Sequence, residues 1–132
     1  MPRSNWLRCV SALGLLFSAS TCRGAIDFAH DVVPILKQHC VKCHGGDEAK
    51  GGFSLNDRDL FLESDAADPG DADNSYFLEL IASTDPDLQM PPKEMARVSP
   101  AEQEVLKSWV QQRMPWTEGF RFAKQSYKPS LL

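Results

Sequence analysis

The sequence is poor in the residue types that many metal, nucleic-acid and membrane sites require. Of its 132 residues, only four are cysteine and only three are histidine, namely His30, His39 and His44. The apolar run from Val10 to Ala19 is too short to span a bilayer comfortably. No repeat or low-complexity segment interrupts the chain after residue 24. These scarcities predict one small domain with few candidate ligands rather than a membrane bundle or a repeat array.

The first 24 residues have the layout of a secretory signal peptide. Arg3 and Arg8 give a positive start, the short apolar run follows, and small residues surround Gly24. Cleavage before Ala25 would export the protein to the periplasm or the medium. Two alternatives stay open, an uncleaved membrane anchor and a lipoprotein-like box at residues 19–22.

Loss of this leader changes both the cysteine count and the charge. Cys9 and Cys22 would leave with it, so the mature chain would keep only two cysteines. The remaining 108 residues would carry 11 basic and 18 acidic side chains, a formal charge of −7. Such an acidic surface argues against nucleic acid as a partner, and it favours either plain solvation or a basic partner.

The two remaining cysteines belong to the run Cys40-Val41-Lys42-Cys43-His44, which is a C-x-x-C-H sequence. On a helical turn, residues three and four apart are neighbours, so both thiols and the imidazole lie on one side. Thiols in this pattern form thioethers with the vinyl groups of haem, and the histidine is the proximal iron ligand. The sequence therefore predicts one covalently attached haem c, with His44 as an iron ligand.

A zinc site and a redox dithiol are the alternative readings of these cysteines. A zinc site needs a second Cys or His pair, and His44 is too close to Cys43 to act as the distant ligand. A thioredoxin-like dithiol needs a βαβ context, and no strand-like run precedes Cys40. Both alternatives stay open at this point.

Hydrophobic periodicity predicts an all-α domain. Three segments have a helical apolar face: residues 27–39, residues 75–82 with Asn74 or Ser75 as the cap, and the segment from Ser99 to about Arg113. The last begins with a capping box, Ser99-Pro100-Ala101-Glu102, and its Trp109 face should pack on the first helix. Pro34 either marks the true first turn of the first helix or kinks it. The glycine-rich stretch 45–74 is expected to be a loop, folded against the haem or simply on the surface.

A second axial ligand is needed if the iron is to exchange electrons without binding small molecules. Met90 lies in the stiff segment Gln89-Met90-Pro91-Pro92, where two prolines restrict the backbone. Met95 and Met114 are weaker candidates because of their positions, and His39 is held beside Cys40. We therefore predict Met90 as the distal ligand.

An ordered set of motifs resembles the planctomycete-type cytochrome c domain, a family within the class I cytochrome c fold. The set covers about residues 26–116 and comprises the segment Ile26–Leu36, Cys40–Gly45, Lys50–Leu55, Pro69-Gly70, Ser75, Met90–Pro92, Ser99-Pro100 and the Trp109 helix. The resemblance implies a helical shell around a covalent haem, with Cys40 and Cys43 as anchors and His44 and Met90 as axial ligands. Members of the family often carry a basic residue at the position of Ser54. In this sequence, Lys50 and Arg58 are the candidates to replace that basic residue.

These observations together predict a signal peptide (1–24), a cytochrome c domain (25–116) and a tail or linker (117–132). The predicted function is one-electron transfer by a mono-haem carrier that is not an enzyme and exchanges electrons with redox partner proteins. It would have no membrane span once the leader is removed. Further domains beyond the C-terminus, a haem-based sensor, and an electron-entry domain of a larger enzyme remain alternatives.

Overall fold

The computed structural model describes residues 24–47 and 49–122, and all regular structure in these residues is helical apart from an isolated bridge between Asp68 and Asp71. The elements are a π-helical turn (Phe28–Val32), α1 (Val33–His39), α2 (Val41–His44), a 3-10 turn (Lys50–Gly52), α3 (Arg58–Glu63), α4 (Tyr76–Ala82) and α5 (Pro100–Gln111). The prediction of an all-α fold is confirmed for this part of the chain. The predicted leader lies outside it except for Gly24.

The predicted first helix is present but is divided into two kinds of turn. Asp27 begins it, because its carboxylate accepts a hydrogen bond from the His30 N–H at 3.1 Å. A π-helical turn comes first, and the α-helix starts only at Val33, with Pro34 in its first turn. The Val33 N–H still bonds to the Phe28 carbonyl of the π-helical turn, and Pro34, which has no N–H, lies where this turn gives way to α1. Pro34 therefore marks the start of α1.

The segment expected to be a loop, 45–74, contains the helix α3, so that expectation was wrong in part. The carboxylate of Asp57 caps α3 by accepting the Leu60 N–H at 2.9 Å. Phe61 in this helix is fully buried. The cap and the apolar run at residues 60–62 were visible in the sequence, but the surrounding glycines and aspartates obscured them.

Helices α4 and α5 agree with their predicted ranges. Ser75 precedes α4 as its N-cap residue, but its hydroxyl donates to the Asp71 carbonyl at 2.8 Å and accepts the Asp68 N–H at 2.9 Å, so it holds the preceding loop instead. The capping box of α5 is present. The Ser99 N–H donates to Glu102 at 2.7 Å, and the Glu102 N–H donates to the Ser99 hydroxyl at 3.3 Å.

Aromatic side chains make up the centre of the core. Trp109 is fully buried, as predicted, with ring centroids 5.9 Å from Phe28 and 5.8 Å from Phe61. Phe28 also stacks on Trp116 at 4.1 Å. Helix α5 thus packs against the first helical segment through the π-helical turn, and it closes one side of the domain.

The packed domain extends to Phe122, six residues past the expected boundary at 116. Phe122 is buried, and its N–H donates to the Asn56 carbonyl at 2.9 Å. Phe120 meets Phe28 edge to face at 5.4 Å. Isolated aromatics among polar residues give no periodic pattern, so the sequence did not separate these residues from the tail.

In the residues described, no helix is long and apolar enough to cross a membrane.

The capping box predicts a pH-dependent contribution to stability. The hydrogen bond from the Ser99 N–H, aided by His39, holds the pKa of Glu102 below its usual value. A lowered pKa means that ionised Glu102 stabilises the folded state at neutral pH and that this contribution is lost as the pH falls through the lowered pKa. Glu102→Gln should cost about 0.5 kcal/mol at neutral pH.

Urea unfolding across the pH range measures this contribution. The difference between the original protein and Glu102→Gln should vanish below the lowered pKa, because both side chains are then neutral. Glu118→Gln removes the same charge outside α5 and should leave stability unchanged. A difference that is independent of pH would show that the charge of Glu102 is not the cause.

Candidate functional site

One helical turn carries the predicted anchoring residues. The Cys40 N–H donates to the Leu36 carbonyl at 2.9 Å, and the His44 N–H donates to the Cys40 carbonyl at 3.0 Å. Helix α2 is therefore continuous with α1 except at Cys40, where the backbone departs from helical geometry (φ −124°, ψ −46°). Both cysteines are free thiols. Cys40, Cys43 and His44 line one cleft, as the C-x-x-C-H spacing predicted.

Backbone carbonyls orient the ring of His44. Its Nδ1 lies 3.0 Å from the carbonyl oxygen of Lys50 and 3.3 Å from that of Phe53. A carbonyl oxygen can only accept, so Nδ1 carries the proton. In the neutral imidazole, Nε2 then keeps its lone pair, which is the form that binds a metal. The Phe53 ring holds the imidazole from the side, with centroids 4.9 Å apart.

The turn that supplies these carbonyls depends on glycine. Gly51 and Gly52 both have positive φ, at 69° and 67°, a region that other residues rarely adopt. A Cβ atom on Gly51 would lie 4.0 Å from Cε1 of His44, whereas one on Gly52 would have no protein atom within 4 Å. Both glycines line the cleft. The turn therefore presents bare backbone beside His44, and a flat ligand could approach it closely.

The remaining cleft wall comes from the residues just after α3, from α4 and from the segment after α4. The Met90 N–H donates to the Leu80 carbonyl at 3.0 Å, which fastens the Met-Pro-Pro segment to α4. The cleft encloses about 990 Å³, part of it open to solvent. Its wall is mostly apolar, and on this side it is formed by Ser64, Ala66, Tyr76, Phe77, Leu80, Ile81, Met90, Pro91, Pro92 and Met95.

The positions of the three methionines reduce the number of candidates for the distal iron ligand. Met114 is fully buried in the core and does not line the cleft. Met90 and Met95 both line it, and Met90 is 37% exposed. The charged neighbours of Met95 in the sequence suggested an unconstrained position. A turn closed by the Met95 N–H and the Pro92 carbonyl, at 2.8 Å, returns it to the cleft.

His39 joins three parts of the site. It is buried, with Nδ1 3.3 Å from the Ala96 carbonyl and Nε2 3.3 Å from the Glu102 carboxylate. It therefore connects the end of α1 to the start of α5 and to the segment that follows Met95. Its position before Cys40 placed it near the site, but nothing in the sequence identified these distant partners.

Lys50 and Arg58 lie in different surroundings. They are the two candidates to replace the basic residue that family members often carry at the position of Ser54. Arg58 donates from Nε to the Met114 carbonyl at 3.0 Å and from a terminal nitrogen to the Arg113 carbonyl at 3.1 Å. Its guanidinium is thus used to hold the turn after α5. Lys50 instead adjoins Gly51 at the cleft. Lys50 is the better placed of the two for an anionic group at the cleft.

The donor set does not suit zinc or a redox dithiol. In residues 24–47 and 49–122, no group of three or more His, Cys, Asp or Glu side chains could hold a metal ion. Burial, and then the neighbouring Cys43, raises the pKa of the Cys40 thiol to about 12. Reactive dithiols need a lowered pKa, since the thiolate is the nucleophile. A porphyrin supplies most of the ligands of its own iron, so two thiols, one imidazole and one thioether are sufficient for haem.

The family comparison agrees with this chemistry. Residues 40–94 match the family model described as Planctomycete cytochrome C, which confirms the resemblance over the segment that contains Cys40, Cys43, His44 and Met90. The family model describes domains that carry a covalently bound haem. Comparison with curated proteins and with solved structures finds no match.

Gly51 offers a test of the turn that orients His44. Gly51→Ala should destabilise the protein by about 1 kcal/mol, because alanine is strained at positive φ, and it should also disturb the carbonyls around His44. Gly119→Ala is the matched control, since Gly119 has φ 72° and no protein atom near its Cβ position. Both variants should lose stability in urea, but only Gly51→Ala should change the visible absorption of the haem-loaded protein. Equal spectra would contradict the role of the turn.

Proposed function

We propose, on the premise that residues 40–94 form a planctomycete-type cytochrome c domain, that this protein is a mono-haem carrier of single electrons. The observation that carries the proposal is the composition of one cleft. One wall holds two thiols and an imidazole with a lone pair on Nε2, and the remaining wall holds thioethers. This set of donors would anchor a haem and supply two ligands to its iron.

Each residue has a separate role in this proposal. Cys40 and Cys43 would form the thioethers, His44 would be the proximal ligand, and Met90 the distal one. When bound, haem supplies an iron that gains and loses one electron. Thioether ligation by Met90 would favour the reduced iron and so raise the reduction potential.

The chain around these residues would keep the site closed and rigid. Met90 is fastened to α4 by its N–H and followed by the buried Pro91, so its backbone has little freedom to lose. Phe77 and Ile81 are buried and line the same cleft as Met90. With His44 and Met90 both bound to the iron, the protein would have no free iron ligand position to offer a substrate. We therefore propose a carrier and not an enzyme.

The proposed location of the protein is the periplasm or the medium. Cytochrome c domains are typically exported. The predicted signal peptide, residues 1–24, agrees with export to the periplasm or the medium. We propose that the mature protein begins at Ala25 and works there with redox partner proteins.

Covalent haem is the first test of this function. The protein, expressed with its leader and a c-type haem attachment system, should keep its haem after denaturation and give the reduced pyridine haemochrome spectrum of two thioethers. Voltammetry should show a reversible one-electron wave. Cys40→Ser/Cys43→Ser should lose the haem on denaturation. A protein that carries no covalent haem after this expression would contradict the proposal.

The distal ligand has its own test. Met90→Ala should abolish the sulfur-to-iron charge-transfer band of the oxidised protein and lower the potential by at least about 60 mV, a tenfold change for one electron. Met95→Ala is the control, because Met95 lines the same cleft. If Met95→Ala abolishes the band and Met90→Ala does not, then Met95 is the ligand.

A further inference from the structure

His39 is one of two polar residues that are buried among those that the structure describes, and Ser75 is the other. Ser75 holds its own loop, whereas the partners of His39 lie 57 and 63 positions away in the chain. A buried polar side chain costs free energy unless it is hydrogen-bonded, and an apolar side chain would fill the same space without that cost. The two distant bonds of His39 are therefore what this position provides.

Both partners of His39 can only accept hydrogen bonds. Nδ1 faces the Ala96 carbonyl at 3.3 Å, and Nε2 faces the Glu102 carboxylate at 3.3 Å. The Ser99 N–H donates to that carboxylate at 2.7 Å and lowers the pKa of Glu102, so the carboxylate is ionised at neutral pH. Histidine can carry a hydrogen on each ring nitrogen, so this one side chain can donate to both partners.

The bond to Ala96 holds the end of the segment that carries both candidate distal ligands. We call residues 90–96 the distal segment. Its first residue, Met90, is fastened to the Leu80 carbonyl of α4 by its N–H, and its middle is closed by the turn that ends at Met95. Since Ala96 directly follows Met95, the His39 bond acts one residue away from a side chain that lines the cleft.

Arg97, the next residue, fastens the same segment to a different wall of the cleft. It donates to two carbonyls at the end of α4, at 3.2 Å and 2.6 Å. His39 instead ends α1 and directly precedes Cys40, which lies in the wall that carries His44. Its bond to Ala96 therefore joins the two walls between which the cofactor would lie.

We propose that His39 is a positioning residue, which holds the distal segment against the wall that carries Cys40 and His44 and so keeps a methionine on the iron. This proposal rests on the proposed electron-carrier function and adds the residue that sets how often the distal ligand dissociates. In this proposal, the ligand leaves when the distal segment moves away from that wall. The bond between Nδ1 and the Ala96 carbonyl breaks in this movement, so it raises the free energy of opening.

Exchange of the distal ligand against imidazole measures this opening in the oxidised, haem-loaded protein. Imidazole can bind the iron only after the methionine has left it, so at saturating imidazole the binding rate approaches the rate of opening. His39→Leu removes both donors and keeps a side chain of similar size. It should raise the limiting rate about tenfold, because one hydrogen bond that opposes opening is lost. An unchanged rate would overturn the proposal.

Two conservative variants test which bond of His39 matters, and they decide the question if His39→Leu does not fold. The side-chain amide nitrogen of His39→Asn lies near the position of Nδ1, and that of His39→Gln lies near the position of Nε2. The first variant can therefore still donate toward Ala96, and the second toward Glu102. The limiting rate of His39→Asn should stay within about twofold of the original, whereas His39→Gln should react about as fast as His39→Leu. The opposite order, or equal rates of the two, would overturn the proposal.

A general loss of stability could also speed the exchange, so a variant outside the cleft is needed as a control. Gly119→Ala places alanine at φ 72°, at a residue that does not line the cleft. It should lower stability in urea but leave the limiting rate unchanged, and an increase equal to that of His39→Leu would overturn the proposal.

Failure of the carrier proposal is distinguishable from failure of this one. If the original protein has no sulfur-to-iron charge-transfer band, both proposals are wrong. A protein that has the band, but whose exchange rate does not respond to substitution of His39, contradicts the positioning role alone.

Discussion

The hydrogen bonds from the His44 Nδ1–H to the Lys50 and Phe53 carbonyls are the interaction on which the candidate site depends. They join the end of α2 to a turn in which Gly51 and Gly52 take positive φ, and they set the tautomer of the histidine. Without them the imidazole could rotate, and a lone pair on Nε2 would be only one of two possibilities. The ring of Phe53 packs on His44 and, through Phe61, connects it to Trp109 in the core.

The domain is small for the cleft it contains. A chain of this size buries a limited share of its surface, and here a lined cleft takes the place of part of the core between α2, the glycine turn and α4. In the proposed function, a covalent apolar cofactor completes that core as well as carrying the electron. Phe28 and Trp109 are buried in the core, Trp116 is partly buried against them, and none of the three lines this cleft. The wall that carries Phe77 and Ile81 would therefore be part of both the hydrophobic core and the haem site.

Local signals in the sequence predicted local structure well. The capping box at Ser99 and the apolar periodicity of residues 75–82 and 99–113 gave helices at the right places, because caps and periodicity act within one or two turns. The C-x-x-C-H spacing placed three site residues on one wall for the same reason. The missed features are those made by distant partners. The bond of His39 to Glu102 and the packing of Phe122 on Asn56 involve residues far apart in the chain, and Met95 reaches the cleft only through a turn.

X-ray absorption at the iron edge of the oxidised, haem-loaded protein is the most direct test of the central claim, that this cleft holds iron between His44 and a methionine. The account predicts one sulfur ligand, with every other ligand a nitrogen. A spectrum that requires only nitrogen and oxygen ligands would contradict it, because neither Met90 nor Met95 would then be bound to the iron.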